Sequence, residues 1–186
     1  MMKTGLIPIV LVVLGLILNT AYILGPSERN LISGNAGYPG LEESEGTGVG
    51  IISISLDVTT VDFGQLNNGE TDDTTDFSPP PLDLQNTGNR QVDVTIMADD
   101  LWGSVPNPSR YFQFMSAEAE TGSVDNPATD LVTSFTDLPS SPTLFARKFH
   151  SYLARDELYG HIKIIVPEEE EAGEKESVIV FTASLS

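Results

Sequence analysis

Apolar and polar residues alternate with a period of two through much of the sequence after residue 50. Residues 52–59 read ISISLDVT and residues 91–96 read QVDVTI. This alternation is typical of a β-strand with one face in a core and the other in water. No stretch after Gly25 carries a convincing helical period. Further strands are predicted at residues 81–85, 110–115, 131–136, 144–150, 159–166 and 177–184.

Turn-forming residues separate these strands. Asparagine, glycine and proline cluster at residues 67–69, 86–89, 106–108 and 139–142, and such clusters mark tight turns. About eight short strands with regular turns predict an all-β fold, an antiparallel β-sandwich of the immunoglobulin-like type over residues 51–186. Trp102 is expected to cap its core. The aromatic cluster of Tyr111, Phe112 and Phe114 is expected to pack inside rather than bind a glycan.

An apolar segment precedes this domain. Residues 5–25 read GLIPIVLVVLGLILNTAYILG, with Lys3 before them and Pro26, Ser27 and Glu28 after them. As a helix this segment would span about 31 Å, close to the thickness of a bilayer core. Apolar residues cover every face of that helix, which disfavours a helix packed on a soluble core. Residues 1–25 are therefore predicted to form one hydrophobic helix, a signal peptide or a transmembrane anchor.

The sequence leaves three fates open for this segment. A signal peptidase would cut after Ala21. An uncleaved anchor would keep Lys3 inside and the acidic domain outside. In the third case, Lys3-Thr4-Gly5 followed by LIPIVLVVLGLIL resembles the start of archaeal type IV pilins, a family cut after the small residue, here Gly5. That resemblance implies that the apolar helix stays and packs in a filament.

Residues 26–50 form the next unit. They contain six glycines, two prolines and a cluster of acidic residues at 42–45. This composition predicts a flexible linker or an extended arm.

A wider resemblance rests on three runs of sequence, VDFGQLNNGE at 61–70, PLDLQNTGNRQVDVTI at 81–96 and IKIIVPEEEEAGEKESVIVFTAS at 162–184. They resemble archaeal exported β-sandwich proteins of the cell surface and, more distantly, the filament subunits of the TasA and camelysin group. The resemblance implies tight hairpins at 86–89 and at the C-terminal end, with Phe63 plugging one end of the sandwich. It also implies assembly in which an N-terminal strand of one subunit completes the sheet of the next, and residues 27–41 are expected to supply that strand.

The charge and composition exclude several classes of function. The chain has 27 acidic and nine basic residues, a net charge of −18, and no cysteine. So negative a chain repels phosphate backbones, which excludes nucleic acid as a partner. Without cysteine there is no thiol catalysis, thiolate metal site or iron–sulfur cluster.

No catalytic, cofactor-binding or metal-binding residue is assigned from the sequence. The acidic clusters Asp72–Asp73–Asp76 and Asp99–Asp100 lie in turn-like segments, where solvated carboxylates are expected. Calcium at 70–76 or 99–100 is the alternative. His150 and His161 lack a metal-ligand spacing, and His161 is expected at the surface. Residues 168–171, all glutamate, are expected to form a solvated hairpin loop.

These features lead to one functional hypothesis. The protein is expected to be a non-enzymatic structural protein of the cell surface, an anchored domain or a filament or pilus-type subunit. Its partners are expected to be further copies of itself and, through the N-terminal segment, the membrane, with no nucleic acid and no small-molecule substrate. The alternative is an adhesive or glycan-binding surface module, with calcium as a possible requirement.

Overall fold

A computed structural model of the protein describes residues 7–12 and 50–186. The regular elements of the described chain are antiparallel strands, apart from one short helix and one 3₁₀ turn at Pro108–Tyr111. The strands are β1 Ile7–Val12, β2 Ile54–Leu56, β3 Thr60–Leu66, β4 Thr71–Asp73, β5 Leu82–Asn86, β6 Val92–Ala98, β7 Phe112–Glu118, β8 Thr136–Asp137, β9 Thr143–Phe149, β10 Glu157–Ile165 and β11 Ile179–Leu185; the helix is α1 Pro127–Asp130.

The strands form two main sheets and one separate pair. The larger sheet has the order β2-β5-β10-β7-β8, and β4 also pairs with β10. The smaller sheet has the order β11-β6-β9, and β1 pairs with β3. All of these pairings are antiparallel. The predicted all-β class is therefore confirmed.

A continuous apolar core joins the two sheets. The alternation predicted at 92–96 is confirmed, since Val92, Val94 and Ile96 are buried. The Phe145 ring lies edge-on to Phe181 at 5.1 Å between ring centroids, and it stacks near Phe114 at 6.3 Å. The predicted core positions of Phe63, Trp102, Phe112 and Phe114 are confirmed by their burial.

The hairpin predicted at residues 86–89 is wrong. β5 lies in the larger sheet and β6 in the smaller one, so this segment crosses between the sheets. The Asn86 side chain directs the crossing, because its Nδ2 donates to the carbonyls of Arg90 and Phe149, each at 3.0 Å. Gly88 has a negative φ, and it is required by a close approach, since a Cβ there would lie 2.4 Å from the carbonyl oxygen of Ile51.

The predicted C-terminal hairpin is wrong for the same reason. β10 belongs to the larger sheet and β11 to the smaller sheet, where it pairs with β6. The connecting residues 166–178 therefore pass across one end of the sandwich.

The strands predicted at 131–136 and 110–115 both begin later than predicted. Within residues 131–136, Leu131 forms an isolated bridge to Ala146, and regular pairing begins only with β8. The preceding residues turn into α1 because Asn126 caps it, accepting from the N–H of Ala128 at 3.2 Å. The strand predicted at 110–115 begins two residues later, as β7, because Pro108 starts a 3₁₀ turn.

The prediction of a hydrophobic helix over residues 1–25 falls mostly outside the described residues. Of that segment, only Ile7–Val12 are described, and they form an extended strand on β3. In the part of the chain that the structure describes, no helix is long and apolar enough to cross a membrane. The predicted arm at 26–50 lies outside the described residues except for Gly50.

Candidate functional site

The edge of β3 is the first candidate surface. Val61 and Phe63 of this strand point into the core, whereas Thr60, Asp62 and Gln65 are exposed. Among the described residues, β3 pairs with β1 and with no other strand. The edge therefore has its main-chain groups satisfied by a segment that lies far away in the sequence.

The register of this pair is defined by a bulge in β3. Ile7 lies opposite Leu66 and Val12 opposite Thr60, but the register shifts between Ile9 and Val10. The shift coincides with Gly64, which has a φ of +67° and donates its N–H to the Asp62 carboxylate at 2.8 Å. A glycine in this conformation is typical of a β-bulge, which favours one register over its neighbours.

A cleft lies at the end of the sandwich where β10 finishes. We call it the Tyr111 cleft, and its volume is about 430 Å³. Its apolar part combines the 105–111 connection with the end of β10, and two exposed glutamates stand at its rim. The residues that line it are Gly69, Val105, Pro106, Tyr111, Ile165, Val166, Pro167, Glu168 and Glu169.

Hydrogen bonds make one wall of the Tyr111 cleft rigid. The Asn68 side chain donates to the carbonyls of Pro167, Glu168 and Glu170 at 3.1, 2.9 and 2.9 Å. The N–H of Gly69 donates to the carbonyl of Val166 at 2.8 Å. The turn at 67–69 therefore holds the chain that follows β10.

The acidic run at 168–171 is only partly solvated, which corrects the prediction of an open hairpin loop. The side chain of Glu170 is 2% exposed and contacts the ammonium of Lys175 and the hydroxyl of Ser104. Burial acts to raise the pKa of Glu170, but the hydrogen bonds from Lys175 and Ser104 together hold that pKa below its ordinary value. The other three glutamates of the run are exposed.

A tight turn protrudes at the opposite end of β10. We call residues 152–155 the Leu153 turn. The N–H of Arg155 donates to the carbonyl of Tyr152 at 2.8 Å, and Ala154 has a φ of +64°. Leu153 is 92% exposed and Tyr152 66% exposed. Large apolar side chains so completely exposed, side by side, are typical of a contact surface.

A second cleft, the His150 cleft, lies beside this turn and has a volume of about 550 Å³. His150 Nε2 lies 2.8 Å from the Asp125 carboxylate, and Lys148 lies 3.2 Å from its other oxygen. Hydrogen bonds from His150 and Lys148 lower the pKa of Asp125. Among the described residues, His150 Nδ1 is buried without a hydrogen-bond partner. The lining residues are Asn89, Arg90, Gln91, Asp125, His150, Ser151, Tyr152, Leu185 and Ser186.

His161 is buried, which corrects its predicted place at the surface. It lies on β10, with 6% of its surface exposed. The ring of Phe77 covers it edge-on at 6.1 Å between centroids, and its Nδ1 lies 3.2 Å from the Thr74 carbonyl oxygen. Burial lowers the pKa of His161.

The predicted cluster at 72–76 serves local turns, whereas in the second cluster Asp99 bonds a distant residue through its main chain. Asp73 accepts from the N–H of Thr75 at 2.9 Å, and Asp76 accepts from the N–H of Ser78 at 3.0 Å. The carbonyl of Asp99 accepts from the hydroxyl of Ser177 at 2.6 Å, and Asp100 is exposed. Within residues 7–12 and 50–186, no three histidine, aspartate or glutamate side chains come together as a metal site. Calcium at 70–76 or 99–100 stays a prediction.

A group of carboxylates that the sequence analysis missed lies on the solvent-facing side of the larger sheet, on the interior strands β5 and β10 and beside them. Burial raises the pKa of Asp83, and the nearby charges of Asp57 and Glu120 raise it further. Burial and the charge of Asp83 likewise raise the pKa of Glu157. The sequence signal was their outward position in the alternating pattern of β5 and β10, but only the strand pairing brings them together.

Comparison with protein-family models gave no match, and comparison with curated proteins gave none either.

Proposed function

We propose that the protein is a structural subunit of a cell-surface assembly, and that residues Ile7–Val12 of one copy pair with β3 of a neighbouring copy. One observation carries this proposal, the pairing of the β3 edge by the distant segment β1 and by no other described strand. A strand joined through main-chain hydrogen bonds pairs equally well from its own chain or from an identical second chain. Exchange of β1 therefore links subunits and leaves each β3 edge completed.

The fate of the N-terminal segment decides whether β1 is available. Cleavage after Ala21 would remove β1, and a retained membrane helix would hold residues 7–12 in the bilayer, away from β3. Cleavage after Gly5 would leave β1 starting at the second residue of the mature chain. The proposal therefore favours pilin-like processing followed by release of the segment from the membrane.

The remaining sequence hypotheses form part of the same proposal. A surface subunit also fits the other hypotheses from the sequence. These are the immunoglobulin-like arrangement, export, an archaeal source and the relation to the TasA and camelysin group. The net charge of −18 disfavours partners that bear phosphate. It also makes identical copies repel one another, so specific contacts such as the exchange of β1 must outweigh that repulsion.

Cysteine cross-linking tests the exchange of β1 directly. Because the chain has no cysteine, only the introduced thiols can form a disulfide. Val12 lies opposite Thr60 in the observed register. We expect a mixture of full-length Val12→Cys chains and Thr60→Cys chains, assembled and then oxidised, to give a covalent dimer on a non-reducing gel.

The matched control pairs Val12→Cys with Gln65→Cys. Gln65 lies opposite Pro8, so four residues of strand separate these positions, about 13 Å, and a disulfide needs Cα atoms within about 7 Å. No covalent dimer is expected from the control. If the Val12→Cys and Thr60→Cys mixture gave none either, while both substitutions in one chain gave an intrachain disulfide, β1 would belong to its own subunit.

A carbohydrate-binding surface module is the second candidate function. The His150 cleft supports it, because amide, imidazole and carboxylate groups beside an exposed tyrosine are the groups that bind sugar hydroxyls and sugar faces. Calorimetry with a panel of neutral oligosaccharides tests this candidate. Binding lost in Gln91→Ala would support it, and no heat with any sugar, with or without calcium, would exclude it.

A further inference from the structure

We infer that the Leu153 turn of one copy inserts into the Tyr111 cleft of the next copy and forms a head-to-tail contact. This inference rests on the proposed function, since it supplies a second contact for the same assembly. It is independent of β1 and uses only residues of the sandwich itself.

The Leu153 turn and the Tyr111 cleft lie at opposite ends of β10. The Leu153 turn leads into β10, and the Tyr111 cleft is lined by the residues that end β10 and follow it. β10 has nine residues, so at about 3.3 Å per residue its two ends lie about 26 Å apart, and the two surfaces stand at those opposite ends. A contact between them stacks copies along the direction of the strands.

The apolar chemistry of the two surfaces matches. The turn offers the Leu153 side chain, which is almost fully exposed in the single chain, and the Tyr152 side chain, which is about two-thirds exposed. The cleft offers Val105, Pro106 and Tyr111 in a volume of about 430 Å³, within the usual range for a binding cleft. An exposed apolar knob and an apolar cleft of this size on one molecule are complementary parts of an interface.

The charges of the two surfaces also match. Arg155, in the turn, is exposed and forms no ion pair with any described residue. Glu168 and Glu169 lie at the rim of the cleft with exposed carboxylates. Within the described chain these two carboxylates form no ion pair. Insertion of Leu153 brings Arg155 toward this rim. Opposite charges at a rim direct partner choice and orientation more than they add affinity.

The symmetry of the contact explains why it suits a filament. The knob and the cleft are different surfaces, so each copy uses one surface of each kind and leaves the other free. Such a heterologous contact continues from copy to copy unless the rotation between copies closes a ring. A polymer of the sandwich therefore follows from a single type of contact.

Sedimentation velocity and negative-stain electron microscopy of the full chain test the inference. We expect Leu153→Asp to raise the concentration needed for assembly at least tenfold, because it places a charge in an apolar cleft. Leu153 is 92% exposed, so the variant keeps its fold, which circular dichroism verifies. The matched control is Thr182→Asp, which adds the same charge at a half-exposed position in the middle of β11, away from both ends of the sandwich.

A mixing experiment tests the head-to-tail geometry. The Leu153→Asp chain retains an intact cleft, and the Glu168→Lys/Glu169→Lys chain retains an intact turn. Each alone should assemble poorly, but a mixture should give a one-to-one dimer that does not extend. Adding Arg155→Glu to the Glu168→Lys/Glu169→Lys chain should restore its self-assembly in part.

The outcomes separate the two proposals. If Leu153→Asp assembled like the wild type, the inference would be overturned and the exchange of β1 would stand. A wild-type chain that stayed monomeric at every concentration would overturn both. If Leu153→Asp blocked assembly but the mixture gave no dimer, Leu153 would act in a different contact and the head-to-tail geometry would be excluded.

Discussion

The hydroxyl of Ser116 donates to the main-chain carbonyl of Phe145 at 2.8 Å, and this bond joins the two sheets of the sandwich. Ser116 lies on β7 of the larger sheet and Phe145 on β9 of the smaller one. The same hydroxyl accepts from the N–H of Val132 at 2.8 Å, so a single buried side chain serves two main-chain groups.

Ser116→Ala is therefore expected to destabilise the sandwich. The change leaves a buried carbonyl and a half-buried N–H without a partner, and such losses cost about 1–3 kcal/mol. Urea unfolding followed by tryptophan fluorescence measures the free energy of unfolding. The exposed Ser140→Ala should change it by less than about 0.5 kcal/mol, and an equally small effect at Ser116 would contradict the assigned bond.

Lys175→Met should destabilise the end of the sandwich at which the Tyr111 cleft lies. It leaves the nearly buried Glu170 carboxylate without its cation, and breaking a buried pair costs about 3–5 kcal/mol, with the lower end expected because Lys175 is 20% exposed. The matched control is Lys148→Met, which breaks an ion pair whose two side chains are about half exposed and should cost clearly less, because solvent screens an exposed pair. Equal costs for the two variants would show that burial of Glu170 does not matter.

Stability should fall as the pH drops below the ordinary pKa of histidine. Burial lowers the pKa of His161 in the folded state, so below about pH 6.5 the unfolded chain binds a proton that the folded chain does not. We expect the free energy of unfolding to decrease between pH 7.5 and pH 5.5. His161→Gln should make that decrease smaller, and an unchanged slope would show that His161 is not its source.

Asp83→Asn should stabilise the protein at pH 7. Burial, followed by the charges of Asp57 and Glu120, raises the pKa of Asp83, so ionising this carboxyl disfavours the folded state. Removing one of several like charges on neighbouring strands should raise the free energy of unfolding by about 0.2–1 kcal/mol. The gain should vanish as the pH falls below about 3.9, the ordinary pKa of aspartate, and Asp100→Asn should give no such gain.

The alternation of residues was sufficient to predict the central strands. Val92, Val94 and Ile96 face the core because a period of two has only one way to bury three branched apolar residues. The pattern did not reveal how far a strand pairs, since ISISLDVT alternates throughout but only Ile54–Leu56 are paired. Whether a residue pairs depends on the neighbouring strand in the sheet. That strand comes from a distant part of the chain, so the local sequence does not reveal it.

The connections between strands were harder to predict. The Asn-Gly chemistry at 86–89 is the same for a hairpin and for a crossing between sheets, and the contact that decides is the long-range bond from Asn86 to the Phe149 carbonyl. The sequence predicts His161 at the surface because it lies beside Lys163 in a predicted strand. Its burial arises from Phe77, which lies 84 positions earlier and reaches the histidine ring with a φ of +65°.

The candidate surfaces, like the connections between strands, were hard to predict from the sequence. The exposed Leu153 and the buried Glu170 stand in segments that look equally polar and loop-like in the sequence. Their difference arises from tertiary contacts, since Lys175 and Ser104 enclose Glu170 whereas no described segment covers Leu153.

The crossing of the chain between sheets has a consequence for the order in which the molecule forms. β6 occupies the middle of the smaller sheet, yet one of its two neighbours, β11, is the last strand along the sequence. A chain that emerges N-terminus first from a ribosome or a translocation channel can therefore close this sheet only when residues 179–185 are free. Until then one hydrogen-bonding edge of β6 lacks its partner strand, and an unpaired strand edge exposes the nascent chain to aggregation.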